Sequence, residues 1–393
     1  MKALIYDNAI SFVNGATKYI LEAITSLPCE CEVYLLGDKP FDPKYLRLLY
    51  GFDIPQKNIL SLDYRESSGP FSGIRNNWQH IQKCKQISKI SSGYDLFINN
   101  SGGFHYQIEP KAGNNIMVVY FLMNPYHSFV YPESFKIAKN AVKRILLPDP
   151  GKYDFINKYH KIVTISEFTR KWISEYWGVD VKEIIYPSVP APMEISLDKE
   201  NIILNVGRFG PANLDSDTKK RAELIGAFKA LCDTGLKDYT LVLAGGTVKS
   251  EKTGYFIEML EKESLGYPVK FLFDLDQDSL NALYAKSKFL WHAMGLGVSE
   301  SANPEKLEPF GMVTAEAMSY GAVPVVVNAG GQKEIVEDNR NGFLINNLQE
   351  LVAKTKSLCN NEVTLKEFSF QAMQRSKKFS IEEFRNRWKS VLP

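Results

Sequence analysis

No apolar run in the 393-residue sequence approaches the roughly 20 residues that a membrane-crossing helix needs. The longest, Ile116 to Met123, suits a buried strand. Cysteine is scarce. There are 5, an odd number with no Cys-x-x-Cys pair, which excludes a disulfide framework and points to a reducing compartment. Net charge is nearly absent too: 47 Lys and Arg against 45 Asp and Glu leave +2, which argues against a dedicated nucleic-acid binder. The hydrophobic content of 45% is too high for disorder, and 26 Gly with 19 Pro is ordinary for a globular chain. Lys2 to Tyr6 reads as a strand and meets Asp7 and Asn8 at once, so no signal peptide is expected there. Internal repeats and low-complexity tracts are missing as well. The expectation is a cytoplasmic, globular, multi-domain protein.

What is present is alternation. Ala3–Tyr6, Val33–Leu36, Asp95–Asn99, Met117–Leu122 and Lys161–Ile165 read as strands, with helical patterns such as Thr17–Leu27 and Asn76–Ile90 between several of them. This predicts a mostly parallel sheet covered by helices. Tyr186-Pro-Ser-Val-Pro-Ala-Pro192 then interrupts every pattern as a stiff, extended linker. Alternation restarts at Ile202–Val206 and continues through Ala222–Leu231, Thr240–Ala244, Tyr255–Glu263, Val269–Phe273, Ser279–Lys286, Phe289–His292, Val313–Tyr320, Val323–Val327 and a helix from Leu348. Ser380 and Glu383 form a capping box that opens a last helix. Residues 1–190 carry 22 basic and 18 acidic side chains, so 25 and 27 remain beyond them: +4 against −2.

The chemistry concentrates in Glu305–Pro324. Pro309 and Gly311 predict a turn, followed by a helix ending at Gly321. A helix start after a glycine-containing loop offers free N–H groups and partial positive charge, a seat for phosphate. Glu308 lies on the loop and Glu316 about one turn inside the helix. Carboxylates repel phosphate, so they are better read as acceptors for hydroxyls at either end of a diphosphate, which describes a nucleotide-sugar. Asn205-Val-Gly207-Arg208 closes a strand, and Lys219-Lys220-Arg221 opens the next helix. Ligands of doubly wound sheets sit beyond the carboxyl ends of strands, where Arg208 and one lysine would bind a diphosphate leaving group.

In this order, Asn-Val-Gly-Arg…Lys, Leu-Ala-Gly245-Gly246, Glu308-Pro-Phe310-Gly311-Met312-Val313-Thr-Ala-Glu316 and Gly-Gly331-Gln-Lys-Glu-Ile-Val336 resemble the retaining glycosyltransferases of family 4. The E-x7-E spacing of Glu308 and Glu316 is that family's signature. The strong resemblance covers about 200–345; weaker similarity includes Asn14-Gly15-Ala16, Ile165–Thr169 and Tyr186–Val189. It implies an α/β fold of GT-B type: two facing Rossmann-like domains with a crevice between them. Residues 1–190 would form the acceptor-side domain and 191–375 the nucleotide-sugar domain, with 376–393 a terminal helix crossing back. It implies a hexosyltransferase-type enzyme that moves a glycosyl group from a nucleoside-diphosphate sugar to a hydroxyl with retention, in glycan, polysaccharide or glycolipid synthesis. No cofactor and no metal are implied.

By the same resemblance Glu308 would take donor-sugar hydroxyls and Glu316 the ribose. Arg208 and Lys219 would hold the diphosphate, with Lys220 the alternative to Lys219, helped by the N–H groups of Gly311, Met312 and Val313. Gly15 would let its loop approach the phosphates, while Gly207, Gly245 and Phe310 belong to donor motifs. His292 is read either as a core histidine or beside the donor sugar. The family often has a histidine near the end of the strand that corresponds to Met117–Leu122; here His127 would take that catalytic place or merely lie nearby.

Three plainer readings stand beside these. An isolated E-x7-E is two surface glutamates by default, and the ordered motif set is what overturns that default. Asp-x-Asp occurs at Asp215/Asp217, Asp274/Asp276 and Asp276/Asp278, but Asp276 or Asp278 reads better as a helix N-cap than as a metal ligand. The basic helices around Lys83–Lys89 (with Trp78) and Lys136–Arg144 are either solvated faces or a contact with anionic lipid. A non-catalytic GT-B protein that binds a nucleotide-sugar is the alternative to the enzyme.

Overall fold

The structure, a computed structural model of the chain, describes all residues except 11–14, 63, 65–71, 103–106, 121–153, 191, 193–194, 211–217, 237 and 249. It divides into two compact units: Met1–Tyr186 together with Phe384–Pro393, and Pro187–Glu383. The chain first passes from one to the other at the head of the proline-rich segment.

The first unit contains β1 (Lys2–Tyr6), α1 (Gly15–Ile24), β2 (Glu32–Gly37), α2 (Pro43–Tyr50), β3 (Ile59–Ser61), α3 (Ser72–Ser91), β4 (Leu96–Gly102), β5 (Asn114–Val119), β6 (Lys161–Thr164), α4 (Glu167–Trp177) and β7 (Glu183–Ile184). Its sheet runs β3-β2-β1-β4-β5-β6-β7 and is parallel throughout. Central β1 is covered on both faces, so Ala3, Leu4, Ile5 and Tyr6 form an unbroken apolar run, all at 0% exposure. Helix α4 begins where Ser166 accepts from the Thr169 N–H and ends at Gly178.

The second unit contains β8 (Glu200–Val206), α5 (Arg221–Asp233), β9 (Thr240–Gly245), α6 (Glu251–Glu263), β10 (Val269–Phe273), α7 (Gln277–Lys286), β11 (Ser287–His292), α8 (Met312–Ser319), β12 (Val323–Val327), α9 (Gln332–Ile335), β13 (Phe343–Ile345), α10 (Leu348–Cys359) and α11 (Glu362–Ser376). Its parallel sheet runs β10-β9-β8-β11-β12-β13. Trp291, Phe289, Phe228 and Leu241 anchor the core, each at 0% exposure. Burying side chains of this size contributes about 1.5–3 kcal/mol apiece. The indole N–H of Trp291 donates to Thr355 Oγ1 at 2.9 Å, so its burial leaves no polar orphan. The last helix, α12 (Ile381–Val391), is held in the first unit by Phe384 and Trp388 against Tyr19, and Lys161 Nζ donates to the Val391 carbonyl at 2.8 Å.

Both sheets reverse direction once, between β1 and β4 and between β8 and β11. At such a point successive connections leave to opposite sides, and the carboxyl ends of the flanking strands open a crevice. The structure thereby selects which strand ends matter: Asp7 and Asn100 in one unit, Gly207 and His292 in the other.

Several sequence expectations need correction. The helix expected from Leu348 is present as α10, but a second one follows it unpredicted: Asn361 accepts from the Thr364 N–H and restarts the chain as α11. Helix α2 went unpredicted, although Asp42 caps it and Gly51 closes it at φ 64°. Lys83 does not belong to an exposed basic face. It is 4% exposed and its ammonium lies 2.9 Å from Asp38 Oδ2, whereas Lys85, Lys89 and Trp78 on α3 are exposed. Lys136–Arg144 and His127 lie outside the described residues. Among the described residues no helix is long and apolar enough to cross a membrane.

Candidate active site

At the end of β8 the chain turns through Gly207 and Arg208, and it re-enters the described residues at Thr218. Arg221, the first residue of α5, lies under this turn at 0% exposure. Its guanidinium donates to the carbonyls of Gly207 (2.6 Å) and Arg208 (2.9 Å) and stacks 4.1 Å over the Phe209 ring. Arg221 therefore shapes the loop from beneath, and the Arg208 side chain is exposed. Gly245, at the end of β9, serves the same turn: a Cβ there would stand 1.7 Å from the Gly207 carbonyl oxygen. Its glycine is required by the packing of two main chains.

Lys220 caps α5 in a left-handed conformation (φ 58°) and its ammonium pairs with Glu223 at 2.8 Å. Lys219 faces the other way: its Nζ lies 2.9 Å from Glu308 Oε2 and 3.4 Å from Met294 Sδ. Of the two lysines left open by the sequence, Lys219 is the one the structure brings to Glu308.

Glu308 precedes α8. Gly311 starts that helix at φ 118° with no side-chain cap, leaving the first-turn N–H groups of Met312 and Val313 at an uncapped, partially positive end. Phe310 turns into the core instead, at 1% exposure and edge-on to Phe379, so only its backbone is available to a ligand. One turn into α8, Glu316 is buried and accepts from the Tyr284 hydroxyl at 3.1 Å. His292, the last residue of β11 and 1% exposed, brings Nε2 to 3.2 Å from Glu308 Oε2. Burial pushes the Glu308 carboxyl up, but the Lys219 ammonium and His292 outweigh it and hold the group well below the usual carboxylate range. Burial pushes His292 below its ordinary value, and Lys219 adds to that effect. At neutral pH Glu308 is thus a carboxylate and His292 an uncharged imidazole.

The remaining proposed donor residue, Gly15, opens α1 in the first unit and is exposed. The Asp-x-Asp candidates at the end of β10 are occupied: Asp274 accepts from the Thr247 N–H and hydroxyl, both at 2.7 Å, and Asp276 caps α7 through the Ser279 N–H at 2.7 Å. Asp215 and Asp217 lie outside the described residues. Among the described residues no group of three His, Cys, Asp or Glu side chains is placed to hold a metal ion. Sequence reasoning missed Arg221, Tyr284 and Gln332 as site residues. Arg221 and Gln332 stand inside motifs that were read for other residues, whereas nothing in the local sequence marks Tyr284.

An uncapped helix start, a buried carboxylate and a lysine beyond the strand ends of a doubly wound sheet define a class of anion- and hydroxyl-binding sites. Comparison makes the class specific. Residues 193–375 match the family described as glycosyl transferases group 1. An uncharacterised glycosyltransferase of Methanocaldococcus jannaschii is 26% identical over 83% of this chain and 86% of its own length. The GDP-Man:Man(3)GlcNAc(2)-PP-Dol alpha-1,2-mannosyltransferase of Dictyostelium discoideum is 25% identical over 60% of this chain, which spans only 48% of that protein. Anabaena HepE, solved in complex with UDP and glucose, superposes with a TM-score of 0.68 at 17% identity, covering 100% of this chain and 99% of HepE. The protein is a glycosyltransferase of GT-B fold.

Proposed function

We propose that this glycosyltransferase moves a hexosyl group from a nucleoside-diphosphate sugar to a hydroxyl acceptor, with retention at the anomeric carbon and without a divalent metal. The observation that carries this reading is the 2.9 Å pair of Lys219 and Glu308 beside the uncapped start of α8. Diphosphate oxygens would meet the N–H groups of Met312 and Val313 and the positive end of the helix. Lys219 and Arg208 would neutralise the charge that grows on the departing diphosphate. Glu308, kept anionic, accepts hydrogen bonds from sugar hydroxyls, and Glu316, steadied by Tyr284, accepts from the ribose.

Metal independence is supported by the engagement of Asp274 and Asp276 with Thr247 and the start of α7. The motif resemblance is what supports retention. The UDP of the HepE complex supports a nucleoside-diphosphate donor, and the PP-Dol in the Dictyostelium enzyme's name supports a lipid-linked acceptor beside sugars and glycans. Cytoplasmic placement, with peripheral contact to anionic lipid through Lys85, Lys89 and Trp78, completes the proposal; Lys83 has no part in it. The test is a screen of UDP-, GDP- and ADP-sugars for nucleotide release, followed by NMR of the product's anomeric proton. One base should be preferred, and an α-linked donor should give an α-linked product. Release from none of them would overturn the donor reading, and a β product would overturn retention.

A further inference from the structure

Glu308 is held from two sides by the loop that follows β12. The Gly331 N–H donates to the Glu308 carbonyl at 2.9 Å, and the approach is so close that a Cβ on Gly331 would lie 2.5 Å from the Pro309 carbonyl oxygen. The next residue, Gln332, is fully buried, and its amide lies over Gly311, where a Cβ would meet Nε2 at 2.8 Å. The same Nε2 lies 3.3 Å from His292 Nδ1, and the opposite ring nitrogen of His292 lies 3.2 Å from Glu308 Oε2. Gln332, His292 and Glu308 thus form a chain of side chains 40 and 16 residues apart in sequence.

The protons in this chain follow from donor and acceptor counting. Glu308 is ionised and can only accept, so a stable contact requires the proton on His292 Nε2. Burial keeps His292 neutral, and a neutral imidazole protonated on Nε2 has a lone pair on Nδ1. Gln332 must then present its NH2 group to Nδ1, and the structure places Nε2 there at 3.3 Å. Reversing the amide would put the proton on Nδ1 and set a bare Nε2 against a carboxylate. Gln332 Oε1 is buried without a partner among the described residues, an acceptor left for a water or a ligand hydroxyl.

We propose that Gln332 and His292 are positioning residues: Gln332 selects the Nε2–H form of His292, and His292 orients the Glu308 carboxylate toward the donor sugar. Lys219 and His292 both reach Oε2, so Oε1 is the oxygen turned to the ligand. The Nε2–Oε2 contact is within range but off the line of a full hydrogen bond, as catalytic contacts often are before substrate binds. The donor-sugar part of this inference rests on the proposed function; the proton placement does not.

Long-range ¹⁵N–¹H NMR of the whole chain, which has 5 histidines, reads the two parts separately. In the donor-free protein His292, assigned through the His292→Gln spectrum, should be neutral and protonated on Nε2 at pH 7. Gln332→Glu places a second carboxylate at Nδ1 and should raise the His292 titration midpoint by more than about one unit, against the opposing charges of Lys219 and Arg221. An Nδ1–H or charged His292 in the wild type would overturn the proposal. In turnover, Gln332→Leu and His292→Leu should raise donor KM about tenfold with kcat changed far less. His292→Gln, which keeps an N–H toward Glu308, should recover most of that loss. Equal KM defects in His292→Gln and His292→Leu, or none in Gln332→Leu, would reduce these residues to packing. A wild type that turns over no nucleotide-sugar refutes the proposed function instead and leaves the proton placement to the spectra.

Discussion

The two switch points of this molecule have the same topology and opposite chemistry. In the first unit Asp7, just past β1, is 1% exposed and accepts from the Ala9 N–H (2.8 Å), Thr17 hydroxyl (2.9 Å) and Asn100 amide (3.1 Å). The Tyr120 hydroxyl closes the cluster by donating to Asn100. No cation pairs with Asp7 among the described residues, and burial pushes its carboxyl up to about 6. In the second unit Glu308 has a lysine beside it and stays charged well into the acid range. One switch point has spent its polar groups on itself, and the other keeps charge and an uncapped helix end available. A crevice at a strand reversal is therefore an opportunity, and the side chains decide whether it is taken.

The largest expected effect breaks this comparison on the first side. Because the folded Asp7 carboxyl titrates near 6 and an unfolded one near 3.8, folding is favoured fully below pH 3.8 and loses that contribution as pH rises to 6. The loss is of order 3 kcal/mol. Asp7→Asn should remove the dependence, so its stability relative to the wild type should rise by up to about that amount between pH 4 and 7. Urea unfolding at both pH values measures it, and a pH-independent difference would mean that Asp7 is ordinarily acidic.

On the second side, Lys219→Ala or Arg208→Ala should remove one of the charge-assisted hydrogen bonds proposed for the diphosphate, worth about 1.5–3 kcal/mol, and lower turnover roughly 10–100-fold while leaving the fold intact. Steady-state kinetics with the preferred donor, alongside circular dichroism, decides this. Unchanged turnover in both variants would remove the charged site from the mechanism. A smaller effect belongs to Tyr284→Phe, which takes one hydrogen bond from Glu316 and should weaken nucleotide binding about fivefold, read by titration calorimetry. The smallest is none at all: activity should persist in excess EDTA, and complete loss restored by Mg²⁺ or Mn²⁺ would reinstate a metal.

Much of this was legible in the residues. The parallel α/β architecture followed from strand–helix alternation, because strands buried on both faces must read as apolar runs. The start of α8 could be placed because Pro309, Gly311 and the glutamate spacing are local signals. Lys219 could not be separated from Lys220, since the choice turns on a left-handed backbone at Lys220 that no neighbouring residue announces. Lys83 read as basic surface because Asp38, its partner, is 45 residues away in sequence.

What the sequence determined by itself was therefore carried within single turns and loops: most of the elements, the uncapped helix, and two carboxylates, one on the loop before α8 and one a turn inside it. The tertiary structure decided the pairings. Lys219 meets Glu308 across 89 residues, Tyr284 meets Glu316 across 32, and Gln332 meets His292 across 40. These contacts exist because β8 and β11 lie side by side with β12 next in order, an arrangement fixed by burying both faces of one sheet. Periodicity records that a strand is buried. It does not record which strand lies beside it, and the charge of the site depends on that neighbour.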